Sequence, residues 1–403
     1  MNDSLQTPII YIARDIERAL GLPKNTVNYA IISNNSTFAK DTVHSYNVTL
    51  VESDKTLSTQ ELLHNATIEE GTHILVFKNT TAIERVATEK KLKLLNPPAI
   101  LAGKIEEKIS QIAWLGELSK FLPKHDIKTC KELTFDTTPY IVQFNHAHSG
   151  EGTRLITKED DITDLKKNFP ERPVRVTQFI EGPGYTVNAV VHTGGILVSS
   201  PSYQITGLPP FTDNQFTTIG NDWGAAHTML SDKQKETIQK MTEKIGEKMR
   251  LDGWKGLFGI DIVVEEKTGT VYLIEINARQ PASTTFESSI QYTNIQKNKE
   301  HVLSTFQAHI RALLGENLSE YTLARVTSGS QILQRLTKDI EDVSDSQVKA
   351  IRELDCNVIE YDEKKPGAEL LRIQSIKSFI KNHNVFTEKA FHIVHILHKK
   401  LYE

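Results

Sequence analysis

The chain has 403 residues, 38% of them hydrophobic and 24% charged, with a formal net charge of −4. This length exceeds a single compact core and fits two or three domains. Acids and bases are interspersed without a long basic run, which leaves no footprint for nucleic acid or anionic lipid. The two distant cysteines, Cys130 and Cys356, give neither a disulfide framework nor a zinc knuckle and read as small buried residues in a reducing compartment. No signal-like start and no run approaching the ~18–20 apolar residues of a membrane span is present, so a cytoplasmic location is expected.

In chain order, short apolar runs at Pro8–Ile12, Asn28–Ser33, Asn47–Val51 and His73–Phe77 predict buried strands. Helical spacing, notably over Ile83–Leu95, separates some of them, which predicts a parallel sheet in a small α/β domain over residues 1–98. Gly21 and Gly71 stand alone, so no Gly-rich phosphate loop lies there. Asn96-Pro-Pro98 marks a break, after which Glu106–Leu118 has helical spacing. Tyr140–Phe144, Arg175–Ile180, Tyr185–Val191 and Ile196–Ser199 then predict one antiparallel sheet. The polar stretch Tyr203–Asp222 reads as a substrate or lid loop, or equally as a plain surface excursion. Lys233–Met249 predicts an amphipathic helix, Gly259–Val264 and Val271–Ile276 a hairpin, and Glu300–Leu314 a helix stopped by Gly315. The tail from residue 318, with strands at Asn357–Tyr361 and Leu370–Gln374 and a helix at Thr387–Leu401, predicts a small α+β module over 318–403.

The chemistry concentrates on the hairpin. Strand alternation places Glu275, Asn277 and Arg279 on one face, and a turn near 267–269 sets Asp261 roughly opposite Glu275. Two carboxylates and an amide oxygen suit a hard divalent cation, and magnesium commonly takes one or two carboxylates together with phosphate oxygens. Arg279 could hold a phosphoryl group or a carboxylate.

These residues carry a resemblance. Gly259-Ile-Asp-Ile-Val-Val264 followed by Tyr272-Leu-Ile-Glu-Ile-Asn-Ala-Arg279 resembles the paired signature of the ATP-grasp superfamily. Three upstream stretches resemble its other motifs in the expected order. They are Glu107–Ala113 for the first phosphate lysine, Tyr140–Thr153 for the strand and Gly-rich loop, and Thr177–Val187 for the hinge. The resemblance implies a pre-ATP-grasp α/β domain, an ATP-grasp domain over 99–317 whose two α+β lobes clasp ATP (lid lobe about 125–180), and a small C-terminal α+β domain. Its nucleotide site would be like that of biotin carboxylase or D-alanine–D-alanine ligase.

The resemblance also implies residue roles. Asp261, Glu275 and Asn277 would hold Mg2+ (or Mn2+), while Arg279 and Lys108 would act on the transferring phosphate, with Lys104 as a rival for Lys108. Gln143, Ser149, Gly150 and Gly152 would meet the phosphates, and Gln178, Phe179, Ile180 and Glu181 the adenosine. The implied activity is an ADP-forming carboxylate–amine ligase acting on small molecules, an amino acid or small peptide among them, with a homodimer as the default assembly. A nucleotide-binding relative without turnover and a bicarbonate or phosphoryl-transfer variant are the alternatives. Two positions depart from the pattern: Gln143 stands where a second lysine is usual, and Gly184 where the hinge carries an acid. His146 or His148 could compensate for Gln143 and Glu181 for Gly184. Glu287 and the hydroxyls around it could line the acceptor site or simply cap a helix.

Overall fold

The computed structural model describes residues 4–145, 152–295, 300–340, 342–363 and 367–398. The first sheet is parallel, built from β1 (Ser4–Ala13), β2 (Val27–Asn34), β3 (Asn47–Val51), β4 (His73–Val76) and β5 (Lys93–Leu94) in the order β3-β2-β1-β4-β5. Its inner strands β1, β2 and β4 carry apolar residues on both faces because both are covered, whereas the edge strands β3 and β5 expose Asn47, Thr49 and Lys93. Between the strands run α1 (Thr37–Thr42), α2 (Thr59–Asn65) and α3 (Thr81–Glu89). Leu62, Leu63, Ile83 and Val86 from α2 and α3 pack on Ile12, Ile32 and Val76. The helix expected over Ile83–Leu95 stops at Glu89, since Lys91 takes a positive φ and Leu94 pairs with Ile74 as an edge strand.

The helix expected over Glu106–Leu118 is also broken. α4 (Ala99–Glu106) and α5 (Ser110–Leu115) flank an extended Glu107, and Lys108 sits in the gap. Asn145 stabilises this gap, accepting a hydrogen bond from the Ile109 N–H (2.9 Å) and donating one to Glu107 (3.0 Å).

The expected single antiparallel sheet is two sheets. β6 (His125–Thr129), β7 (Tyr140–Phe144), β8 (Thr153–Ile156) and β9 (Pro173–Gln178) form a small lid sheet, ordered β6-β9-β7-β8. Beneath it α6 (Asp160–Asn168) closes a local core with Cys130, Val142, Phe144, Ile156, Leu165 and Val174.

The second sheet begins with β10 (Gly184–His192), β11 (Gly195–Val198), β12 (Ser202–Thr206) and β13 (Thr218–Asp222). The polar stretch read as a loop is therefore mostly a hairpin, and Phe211 in its connection is fully buried in the main core. α7 (Trp223–Met229) and α8 (Asp232–Leu251) follow; a capping box between Ser231 and Gln234 starts α8. β14 (Gly256–Val264) and β15 (Val271–Asn277) form the hairpin. After α9 (Thr284–Asn294) and β16 (Val302–Leu303), α10 (Thr305–Leu313) starts at a Ser304–Gln307 capping box and lies against Tyr11 and Tyr29 of the first sheet. This cap, together with the strand before it, explains why the helix is shorter than its apolar spacing predicts.

Apart from a two-stranded hairpin at Ile380–Asn382 and Val385–Phe386, the tail's strands from Ser330 onward join the second sheet. After β17 (Thr322–Leu323), β18 (Ser330–Arg335) pairs with β13, and β20 (Glu369–Ser375) and β19 (Asn357–Glu360) extend the same sheet. α11 (Asp345–Arg352) and α12 (Glu388–Leu397) pack beneath. Residues 399–401 of the last expected helix lie outside the described residues. Among the described residues, no helix is long and apolar enough to cross a membrane.

Candidate active site

The hairpin register sets Asp261 opposite Glu275 and Gly259 opposite Asn277, with Thr186 of β10 opposite Asp261 on the other side. Strict alternation does not hold along β15. Leu273 and Ile276, three residues apart, both face the main core, because a bulge makes Ile274 an extra residue between Leu273 and Glu275. The bulge turns the Ile274 carbonyl outward, where it accepts a hydrogen bond from the Arg175 guanidinium at 2.9 Å.

Asp261 accepts hydrogen bonds from the Thr186 hydroxyl (2.7 Å) and the Asn277 amide (3.0 Å), and Thr186 is in turn held by the Gln204 amide (2.7 Å). Burial and the facing Glu275 carboxylate push the Asp261 carboxyl up to about 6, against the pull of these hydrogen bonds. Burial raises Glu275 too, but the Lys108 ammonium at 2.6 Å outweighs it, so Glu275 falls below the usual carboxylate range. Lys108 is only 4% exposed, whereas Lys104 is exposed on the last turn of α4.

Two carboxylates that repel each other and an amide oxygen beside them fit a hard divalent cation. Among the described residues, no group of three or more His, Cys, Asp or Glu side chains gathers as a complete cage. Oxygens from a bound phosphate would have to finish the coordination.

Arg279 lies one turn of chain beyond β15 and pairs with the buried Glu106 at 3.0 Å; Glu106 also binds Lys78 at 2.6 Å. Gly152 is buried at the start of β8, and Gln143 is buried on β7. His146, His148, Ser149 and Gly150 lie outside the described residues. Gln178 and Glu181 are exposed at the hinge, Phe179 is half-buried and Ile180 buried. The Glu181 carbonyl accepts from the Glu266 N–H, and Gly182 (φ 151°) packs so closely on the Val264 carbonyl that a Cβ would collide with it. At Gly184 a Cβ would stand 3.0 Å from the Gln204 amide oxygen, so the space usually given to an acid is taken by the chain that supports Asp261. Glu287 is turned inward from α9. It is fully buried and bound by Asn188, Ser199 and Trp223, a packing hub beneath α9.

Sequence pattern alone does not single out Arg175, Thr186, Gln204 or Glu106. Thr186 was two residues after the flagged Gly184, on a strand alternating toward the hairpin. Arg175 carried no local signal.

Residues 105–283 match the family model of the ATP-grasp domain. The chain carries an ATP-grasp domain. The match begins beside Glu106 and ends just past Arg279, so the whole cluster lies within it. No curated protein matches the sequence. The ATP-grasp fold extends to solved structures over nearly the full length. One is the ADP complex of purK, an N5-carboxyaminoimidazole ribonucleotide synthetase (TM-score 0.66, 14% identity, 98% of this chain and 97% of that one). Another is carboxyaminoimidazole ribonucleotide synthase from Aspergillus clavatus complexed with ATP (0.63, 16%, 98% of each). A third is an L-amino acid ligase from Bacillus licheniformis (0.63, 13%, 97% of each).

Proposed function

We propose that this ATP-grasp protein is an ADP-forming ligase that activates a carboxylate as an acyl phosphate and joins it to an amine, with an amino acid or small peptide as substrate. The facing pair Asp261–Glu275, with Lys108 on Glu275 and Asn277 on Asp261, is the observation that best supports it. Magnesium, or manganese, would be held by Asp261, Glu275 and Asn277 and would supply Lewis-acid stabilisation of phosphate oxygens. Thr186 and Gln204 orient Asp261 for that task from behind.

Lys108 is buried beside the acids and can turn its point charge to a phosphate once Glu275 has another partner. Arg279, kept in place by Glu106, would steady the charge that grows as phosphate passes to the substrate carboxylate. The amine then displaces phosphate, and no enzyme nucleophile is needed. Gly152 would border the phosphates, and Gln178–Glu181 the adenosine.

A cavity of about 460 Å³ between the C-terminal ends of the first sheet and the tail strands supports an amino acid. Its lining is acid-rich, with Arg14, Lys55 and Arg335 among seven carboxylates that include Glu17 and Glu369, which suits the ammonium end of an amino acid. Gln280, next to Arg279, accepts a hydrogen bond from the Tyr11 hydroxyl of β1 and donates one to the Arg18 carbonyl.

The test is ADP release from magnesium-ATP with pooled amino acids, run beside Glu275→Gln. Turnover in the parent and a drop of at least ~100-fold in the variant are expected. ATP binding without ADP release from either amino acids or bicarbonate would replace the ligase with a nucleotide-binding protein. Turnover with bicarbonate alone would move the substrate class to bicarbonate activation.

A further inference from the structure

Gln143 and Arg175 are direct cross-strand partners on β7 and β9. Their neighbours Val142, Phe144 and Val174 face the lid core, so alternation turns Gln143 and Arg175 to the opposite face, toward the hairpin. Arg175 reaches the hairpin. Its Nε and Nη2 donate to the Gln143 carbonyl oxygen (3.0 and 2.6 Å), its Nη1 to the Gln111 carbonyl oxygen (3.1 Å), and Nη2 again to the Ile274 main-chain oxygen (2.9 Å).

All these partners are neutral. Arg175 is 1% exposed, and among the described residues no carboxylate forms an ion pair with it. The acid whose field it feels, Glu275, is already bound by Lys108. A buried charge satisfied only by neutral oxygens carries an uncompensated desolvation cost. Burial accordingly holds the guanidinium down to about 10, well below its ordinary range. Four of its five N–H groups are used, and the second hydrogen on Nη1 has no partner among the described residues.

We infer that Arg175 is the second phosphate-binding cation of the nucleotide site, its charge supplied from β9 instead of from the lysine usual at position 143. The inference rests on the nucleotide reading above. Gln143 then has a definite role: its side-chain oxygen holds the Nε–Nη2 edge and aims the guanidinium at Ile274, the residue before Glu275. A planar fork gripped on one edge offers its remaining donors in a fixed direction, whereas an ammonium is a rotating point charge. A polyphosphate would provide the counter-charge that the protein omits.

The test compares equilibrium binding of AMP-PNP and AMP, each with magnesium, by calorimetry, and takes the ratio of the two affinities. Arg175→Gln should lower that ratio by about 10-fold or more, as expected for a lost charge-assisted contact, and leave AMP binding within about 2-fold. Gln143→Lys added to Arg175→Gln should restore most of the ratio, which a merely structural arginine would not allow. If Arg175→Gln does not fold, Arg175→Met is the second neutral variant, because buried charges often yield to apolar residues of similar size. An unchanged ratio in a folded neutral variant overturns the inference and leaves the nucleotide site standing. A parent that binds neither nucleotide overturns both.

Discussion

The hairpin and the lid sheet, which meet where Arg175 donates to the Ile274 carbonyl, place their charged groups by different means. On the hairpin, Asp261, Glu275 and Asn277 come from two strands joined by a six-residue connection (265–270), and each residue's place follows from its neighbours. On the lid, Gln143 and Arg175 are 32 residues apart and meet only because β7 and β9 pair in one register. A short hairpin fixes its chemistry locally, so a motif can encode it. A sheet assembled from distant strands can move a charge from one strand to the next and keep it at the same place in space.

Four substitutions would break or sharpen this contrast. Lys108→Ala removes the cation from Glu275 and should lower kcat/KM by about 100-fold, in keeping with the 2–5 kcal/mol typical for one half of a buried pair. Lys104→Ala, four residues earlier and exposed, should stay within about 2-fold. Equal losses in steady-state assays would mean that the break at Glu107 does not select between them.

Gly182→Ala addresses the joint between the two regions. Its positive φ and the Val264 carbonyl leave no room for a methyl group, so urea unfolding should show a loss of ~2–4 kcal/mol. A loss below ~0.5 kcal/mol would show that the hinge relaxes freely around the hairpin.

His309 tests the far end of the hairpin, where its Nδ1 accepts the Leu257 N–H. Burial pushes this imidazole down to about 3, below its unfolded value near 6.5. The unfolded state therefore binds the extra proton, and stability present above pH ~6.5 declines as pH falls toward 3. Between pH 7 and 5 this residue should cost ~2 kcal/mol, at 1.4 kcal/mol per pH unit once its unfolded form is protonated. His309→Gln should flatten the slope; an identical slope would assign the proton elsewhere.

The motif order, the parallel first sheet and the Asp261–Glu275 pairing were legible because each depends on short-range period or spacing. The split of the antiparallel strands into two sheets was not, since strands 140–144 and 185–191 carry similar patterns and only tertiary packing separates them. The helix break around Lys108 was hidden for a related reason. Ile109, Ile112 and Leu115 keep helical spacing across it, and the feature that stabilises the gap, Asn145, lies on the other lobe. Arg175 sits in Pro-Val-Arg-Val-Thr, an unremarkable strand until its partner across the sheet is known.

The pairing of β18 with β13 has a consequence for how such a chain can be inherited. Asp222, at the end of β13, caps α7 through the Ala225 N–H and receives the Phe379 and Ile380 N–H groups from the tail. Recombination at residue 317 would expose β13 as an open edge and leave this buried carboxylate short of two donors. The last eighty-odd residues are thus no interchangeable appendage, and a viable exchange between relatives would have to carry β10 to β20 as one piece.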